Sequence, residues 1–202
     1  MKMLSIFLVL IGLVAAQYDN FSAPFRLILK SDDPALNGTA LGACHQGAAT
    51  EGLCVTTQTL STEPTDYTTF TYATSSSAPS PYDTQGLIYW NLTIAGGTDV
   101  PSALELTVNY NSDIAIPIFT PGEAKATTLS VAADCEDLYI PRSQDDTVSP
   151  PAYLDQTEKA TNWYVCLTRY AYLYETLVWK MGAKAEPQNP SCKKVQVTRV
   201  FN

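Results

Sequence analysis

The chain has 202 residues, of which 46% are hydrophobic, and this composition is typical of a globular protein and excludes a largely disordered one. Twelve Lys and Arg residues against twenty Asp and Glu residues give a net charge of −8, so no nucleic-acid partner is predicted. One histidine and five cysteines exclude most two-histidine catalytic arrangements and most zinc sites. The sequence predicts no cofactor.

The N-terminus has the pattern of a secretory signal peptide. An apolar run from Leu4 to Val14 is followed by the small residues Ala15-Ala16. The run has about 11 residues, whereas a membrane-spanning helix needs about 20, so cleavage is favoured over an N-terminal anchor. Residues 1–16 are therefore predicted to be removed. Residues 17–202 are predicted to form one domain that is secreted, extracellular and without membrane contact after cleavage.

Three sequons qualify for N-linked glycosylation in a secreted chain. They are Asn20-Phe21-Ser22, Asn37-Gly38-Thr39 and Asn91-Leu92-Thr93. Asn37 is favoured because the adjacent Asp33-Pro34 and Gly38 mark a surface turn. Asn91 lies inside a strand-like run, so its glycosylation requires a side chain that faces water.

Five cysteines in an oxidising compartment predict disulfides with at least one thiol left over. The sequence does not decide rigorously among the possible connectivities. Cys44 and Cys54 are expected to pair because the segment between them is short and contains glycine. Cys166 and Cys192 are expected to pair because a sheet that joins an aromatic strand to the final strand would bring them together.

Cys135 is then the free thiol. Its neighbours Asp134, Glu136 and Asp137 are acidic, and their charge raises the pKa of a thiol, so a buried and inert cysteine is expected. The same acidic cluster lacks the alternating Asp/Asn and Gly of an EF-hand loop. No metal site is predicted.

Short runs rich in Thr, Val, Ile and Tyr, separated by turn residues, predict a mostly β protein. The main predicted strands are 25–30, 86–94, 103–110, 114–119, 163–170, 176–180 and 194–201, and shorter runs are 53–57, 69–73, 127–132 and 138–140. About ten strands at these spacings predict a two-layer antiparallel β-sandwich, similar to a jelly roll. Stretches 61–85 and 142–161 are predicted as loops.

Two local signals refine this topology. Gly96-Gly97 predicts a hairpin between strands 86–94 and 103–110. Pro117 cannot donate a ladder hydrogen bond, so strand 114–119 is expected to be an edge strand or to contain a bulge.

His45 is the one histidine that a serine or cysteine nucleophile would have as its base. The sequence has no Gly-x-Ser-x-Gly nucleophile elbow. A structural histidine in a disulfide-closed loop is therefore favoured over a catalytic one.

Paired carboxylates are the other catalytic possibility, because sandwich-fold glycosidases need only two of them at one groove. Glu105 and Glu175 are candidates, since both lie in or beside strand-like runs with Tyr110, Tyr174 or Trp179 nearby. The alternative is that each is a solvent-facing strand residue.

Aromatic residues are concentrated near the C-terminal end of the chain. They are Trp163, Tyr164, Tyr170, Tyr172, Tyr174 and Trp179. If the segment is strand throughout, one row faces the core, and the other either packs across the sheet surface or forms a carbohydrate platform. Packing is favoured.

Several stretches together resemble a family of secreted proteins from filamentous fungi that carries a domain of unknown function. They are 36–39 (LNGT), 44–54 (CHQGAATEGLC), 114–119 (IAIPIF), 163–166 (WYVC), 189–192 (NPSC) and 197–201 (VTRVF). The resemblance implies secretion and a fungal source, and it carries over no catalytic or binding residue.

The sequence thus predicts a secreted, non-catalytic glycoprotein that binds polysaccharide or a host or cell-wall surface. The alternative is a glycoside hydrolase or lyase of sandwich fold that uses Glu105 or Glu175.

Overall fold

The computed structural model of the protein describes residues 18–76 and 83–202, so the predicted signal peptide, residues 1–16, lies outside the described residues. The described residues form fifteen strands and one short 3-10 helix, Asp66–Thr68. The strands are β1 (Tyr18–Phe21), β2 (Phe25–Lys30), β3 (Thr39–Gly47), β4 (Thr50–Thr59), β5 (Thr71–Ser75), β6 (Asp83–Ile94), β7 (Thr98–Asn109), β8 (Ile114–Pro121), β9 (Leu129–Ala132), β10 (Leu138–Asp145), β11 (Ala152–Ala160), β12 (Trp163–Arg169), β13 (Leu173–Lys180), β14 (Lys193–Lys194) and β15 (Gln196–Phe201). Within these ranges, no helix has the length and apolar character needed to cross a membrane.

The strands pair into one antiparallel sheet that curls over on itself. Its main path runs β11-β10-β9-β6-β7-β8-β13-β4-β3-β2-β15, and the remaining strands, β1, β5, β12 and β14, pair beside it. The two ends of the path approach each other where Asp137, just before β10, bridges Thr198 of β15. The mostly-β, sandwich-like class is thus confirmed, with one continuous sheet and more strands than expected.

One large apolar core fills the space inside the curled sheet. Its buried side chains come from most of the strands and include Phe25, Leu41, Leu53, Phe119, Trp163 and Leu177. The Trp163 and Trp179 rings meet edge to face with centroids 4.8 Å apart, and Trp163 Nε1 donates to the Leu138 carbonyl at 2.8 Å. A smaller cluster on the outer face of β8, β12 and β13 includes Ile116 and Val178.

The predicted hairpin between the second and third long strands is confirmed. Ile94 of β6 faces Thr98 of β7 across a tight turn. Gly96 and Gly97 in this turn have φ values of +90° and +76°, a conformation that costs free energy for residues with a Cβ atom. The glycine pair therefore sets the position of the turn.

The expectation for Pro117 is wrong, because β8 is an interior strand between β7 and β13. On its second side, β8 pairs with β13 through Ile114 and Ala115 and with β4 through Ile118 and Phe119. Pro117 lies at the fork where the partner changes. Since no strand pairs with residues 116–117 on that side, a missing N–H is tolerated in the middle of the sheet.

The predicted loop 142–161 is also wrong. Most of it belongs to the β10–β11 hairpin, which projects from the sheet as a two-stranded ribbon. Nearly every residue of β11 is exposed, so the strand has no buried face and no apolar alternation to reveal it. The other predicted loop, 61–85, is interrupted by the 3-10 helix and by β5, close to the predicted strand 69–73.

Both predicted disulfides are present. Cys44 and Cys54 join β3 to β4 with their Cα atoms 5.9 Å apart. Cys166 of β12 is bonded to Cys192, which precedes the short strand β14. It is β14 that pairs with β12, whereas the final strand β15 pairs with β2.

Cys135 is free, as predicted, but it is exposed, so the expectation of a buried thiol is wrong. A backbone hydrogen bond from Asp137 lowers the pKa of the thiol, but partial desolvation and the Asp137 charge outweigh it. The pKa of Cys135 is therefore raised. Cys135 lies in the turn between β9 and β10, next to Glu136, which has a positive φ of 59°.

The acidic cluster around Cys135 closes the curled sheet. Arg199 Nε of β15 donates to Glu136 Oε2 at 2.6 Å, and the Arg199 guanidinium lies over the Phe201 ring. Asp137 Oδ1 accepts from the Thr198 hydroxyl at 2.5 Å and from Lys30 Nζ at 3.1 Å. We call these contacts the acidic clasp.

We predict that Arg199→Met destabilises the fold by about 2–3 kcal/mol. The variant keeps the aliphatic stem but leaves a half-buried Glu136 carboxylate without its partner and removes the cation–π contacts. Chemical denaturation followed by tryptophan fluorescence measures the change.

Lys193→Met is the matched control, because the Lys193–Asp33 ion pair lies at the exposed surface. It is expected to leave the denaturation midpoint nearly unchanged. Equal midpoints for the two variants would contradict a role of the acidic clasp in closure.

Candidate functional site

The tryptophans belong to the core and do not form a surface platform. Trp163 and Trp179 are buried. Trp90 is half-buried, and its Nε1 donates to the Asp66 carbonyl at 2.9 Å. The sequence-based possibility of a tryptophan-lined binding face is therefore not realised by these three rings.

Glu105 and Glu175 lie on opposite faces of the sheet. Leu104 and Leu106 flank Glu105 and pack into the main core, so the Glu105 side chain points outward. Glu175 is two residues before Leu177, so its side chain is on the same face of β13 as this main-core residue. It lies at the exposed beginning of the strand. The two carboxylates therefore do not face each other across a common groove, as a glycosidase pair must.

His45 has a local partner. It lies on β3 beside Cys44, and its Nδ1 is 3.2 Å from Glu51 Oε1 on the neighbouring strand. The imidazole ring also contacts the Tyr172 ring, with centroids 5.7 Å apart. His45 thus has its hydrogen-bond partner within the disulfide-closed β3–β4 hairpin. Its ring contacts the turn between β12 and β13 through Tyr172.

Exposed tyrosine rings gather at the turn between β12 and β13. Tyr170 and Tyr172 in this turn are 46% and 50% exposed, and Tyr110, at the end of β7, is 96% exposed. We call these three residues the tyrosine surface. Leu167 and Leu173 beside them are also exposed, so the apolar character continues around the turn. The turn divides the aromatic run between β12 and β13, so its tyrosines do not form one exposed row. Tyr164 is buried and Tyr174 is half-buried.

A shallow hollow of about 210 Å³ lies between Tyr110 and Tyr170. Its remaining lining is both apolar and polar and consists of Thr107, Val108, Asn109, Asn111, Ile116 and Arg169. Asn109 Oδ1 accepts the Asn111 backbone N–H at 2.9 Å, which fixes the turn that carries Tyr110. The hollow therefore combines two aromatic rings with amide and guanidinium groups.

Gln46 positions the turn that carries Tyr170 and Tyr172. Its side chain is buried, and Oε1 accepts the backbone N–H groups of Ala171 and Tyr172, each at 3.1 Å. A Cβ on Gly52 would lie 3.2 Å from Gln46 Cγ, so glycine at this position leaves room for the side chain. The β3–β4 hairpin, closed by its disulfide, thus holds the tyrosine-bearing turn.

The sequence offers no signal for this role of Gln46. Its two partners lie more than a hundred residues away in the chain, at separations of 125 and 126. Periodicity and motif spacing report only local neighbours, so the contact between the two turns emerges only in the folded chain.

The three sequon asparagines are exposed. Asn20 lies on β1, Asn91 on β6, and Asn37 in the turn after β2, where Gly38 has a φ of +81°. Each side chain is thus accessible in the folded domain. The part of the chain that the structure describes has no cluster of three or more His, Cys, Asp or Glu side chains arranged to hold a metal ion.

A family model described as a domain of unknown function (DUF7907) matches residues 22–201. The chain belongs to this family. The match begins just after β1 and runs to the end of β15, so it covers every strand of the curled sheet except β1. Neither a curated protein nor a solved structure matches the chain.

We predict that Gln46→Met loosens the tyrosine-bearing turn, because it removes the acceptor and leaves the Ala171 and Tyr172 N–H groups unpaired. Two unpaired groups are expected to cost roughly 2–4 kcal/mol. Amide hydrogen exchange should accelerate at residues 171 and 172 and stay slow in β7.

Gln46→Glu is the conservative control, since a carboxylate retains an acceptor oxygen for both N–H groups. Protection of residues 171 and 172 should persist in this variant. Unchanged exchange in the methionine variant would show that Gln46 does not hold the turn.

Proposed function

We propose that this DUF7907 domain is a secreted, glycosylated, non-catalytic protein that binds uncharged polysaccharide through the tyrosine surface. The observation that carries the proposal is that the exposed rings of Tyr110 and Tyr170, from two separate hairpin ends, line one hollow, with Tyr172 exposed in the same turn as Tyr170. A buried glutamine and a disulfide-closed hairpin hold the turn that bears two of them. A turn whose backbone is held in this way loses little conformational entropy when a ligand covers it.

The chemistry of the tyrosine surface suits sugar rings. An aromatic face stacks on the apolar C–H face of a sugar, and the phenol hydroxyl remains available to a ligand hydroxyl. Asn109, Asn111 and Arg169 add donors and acceptors around the hollow. An exposed apolar patch with a polar rim is typical of an interaction site.

The positions of Glu105 and Glu175 favour sugar binding over hydrolysis. Glu105 and Glu175 point to opposite faces of the sheet, and neither lines the hollow between Tyr110 and Tyr170. Hydrolysis of a glycosidic bond requires two carboxyl groups on either side of that bond.

Secretion and glycosylation are supported by separate features. Two disulfides are typical of an oxidising compartment, and the apolar segment from Leu4 to Val14 has the length of a signal peptide. The resemblance to secreted proteins of filamentous fungi points the same way, and it makes cell-wall polysaccharides the first ligands to test.

We predict that removing any one ring of the tyrosine surface weakens retention on polysaccharide particles by about 2- to 12-fold. This is the loss expected for one stacking contact of roughly 0.5–1.5 kcal/mol. The three variants are Tyr110→Ala, Tyr170→Ala and Tyr172→Ala. Depletion isotherms on chitin, cellulose and β-1,3-glucan particles measure the affinity.

Tyr153→Ala is the matched control, because Tyr153 is 80% exposed on the β10–β11 ribbon and lies outside the tyrosine surface. It should bind like the unmodified protein. Failure of the unmodified protein to bind any particle, or equal losses in all four variants, would overturn the proposal.

We also predict that the chain, expressed with its N-terminal segment in a eukaryotic host, is recovered from the medium beginning at Gln17. Enzymatic removal of N-glycans should lower its mass, and Asn37→Gln should abolish the largest share of that decrease.

Asn189→Gln is the control, since Pro190 blocks glycosylation at this position. A protein retained in the cell, or one whose mass is unaffected by the enzyme, would contradict secretion or glycosylation respectively.

A further inference from the structure

A polar groove of about 510 Å³ lies away from the tyrosine surface. The β10–β11 ribbon forms one wall, through Arg142, Gln144 and Glu158. Asn162 and Gly182 form the opposite wall, and Trp179 contributes to the groove from the end of β13. This volume is within the range of sites that bind small ligands.

The groove and the tyrosine surface lie at opposite ends of one strand. Tyr172 immediately precedes β13, whereas Trp179 is its penultimate residue. The rise of about 3.4 Å per residue places the two positions roughly 24 Å apart. A ligand bound in the groove therefore occupies a different site from one bound at the tyrosines.

Five charged side chains line the groove, and four of them already have partners. Arg142 donates to Glu158 across the β10–β11 pair. Asp145 accepts both the hydroxyl and the backbone N–H of Thr147, and these bonds lower the pKa of the Asp145 carboxyl. Lys159 pairs with Asp134, and the fifth side chain, Asp146, is exposed. A charged ligand would have to displace the partners at four of these five positions, so we expect the groove to favour an uncharged ligand.

Neutral hydrogen-bonding groups remain available along the walls. Within the described ranges, the exposed Gln144 amide makes no side-chain hydrogen bond. Asn162 Nδ2 donates to the Gly182 carbonyl at 3.2 Å, which leaves its Oδ1 as an acceptor. Trp179, whose ring packs edge to face on Trp163, also lines the groove, although it is only 8% exposed.

From these contacts we infer that the groove is a second binding site, for a short segment of an uncharged oligosaccharide. An oligosaccharide presents many hydroxyl groups and no charge, which match the available amides and the mostly paired charges of the groove. Together with the tyrosine surface, whose role rests on the proposed function, the groove would make the domain bivalent. The groove itself does not depend on the tyrosines.

The test is titration of the full mature chain with soluble hexasaccharides of chitin, cellulose and β-1,3-glucan, followed by NMR and calorimetry. Saturable shifts are expected at the amides of residues 142–147, 161–162 and 179–183 for at least one of them. Combining Gln144→Ala with Asn162→Ala should weaken this binding by roughly tenfold, since two hydrogen-bonding side chains are lost.

Two controls separate the groove from the tyrosine surface. Gln156→Ala removes an exposed amide of the same ribbon outside the groove and should bind normally. Tyr170→Ala combined with Tyr172→Ala should retain hexasaccharide binding even if it loses retention on particles. Unchanged thermal unfolding of the groove variant confirms that it is folded.

The inference is overturned if no hexasaccharide binds, if the shifts map to the tyrosine surface alone, or if only the tyrosine variant loses binding. Absence of particle retention by the unmodified protein would remove the proposed function but leave the hexasaccharide result intact, so the two failures are distinguishable.

Discussion

Closure of one curled sheet by the acidic clasp holds the protein in its two-layer form. β15 pairs with β2 at one end of the sheet, and Arg199 and Thr198 on β15 reach Glu136 and Asp137 near the start of β10 at the other. The main core lies inside this closure, so its apolar side chains are covered only when both ends meet. Acidic residues that a sequence reader would examine for metal binding or thiol activation therefore serve to complete the fold.

The fold class could be predicted because its signals are local. The glycine pair at Gly96 and Gly97 marks the β6–β7 turn, and the spacing of Cys44 and Cys54 suits a hairpin disulfide. The prediction that Pro117 marks an edge strand or a bulge was wrong for an equally physical reason. A proline cannot donate one ladder hydrogen bond, and an edge strand tolerates this loss. A fork where the neighbouring strand changes from β13 to β4 tolerates it equally.

The candidate sites were harder to predict because they lie where the apolar pattern fades or where distant segments meet. β11 is exposed on both faces, so the ribbon that walls the groove reads as a loop. Tyr170 and Tyr172 were visible as part of an aromatic run, and the predicted strands 163–170 and 176–180 left a break after Tyr170, but the partner of this turn was not visible. Their support by Gln46, 125 residues earlier than Ala171, belongs to tertiary structure alone. Propensity therefore located the scaffold better than its candidate sites.

The position of β15 has a consequence for biosynthesis. β2 is among the first strands to be made and β15 is the last, yet they share six paired residues. At about 5–20 residues per second, the ribosome needs on the order of ten seconds to reach β15 after completing β2. During that interval the edge of β2 and the inner side chains Phe25, Leu27 and Leu29 lack their final cover. The nascent chain thus cannot complete the pairing of β2 until β15 has been made.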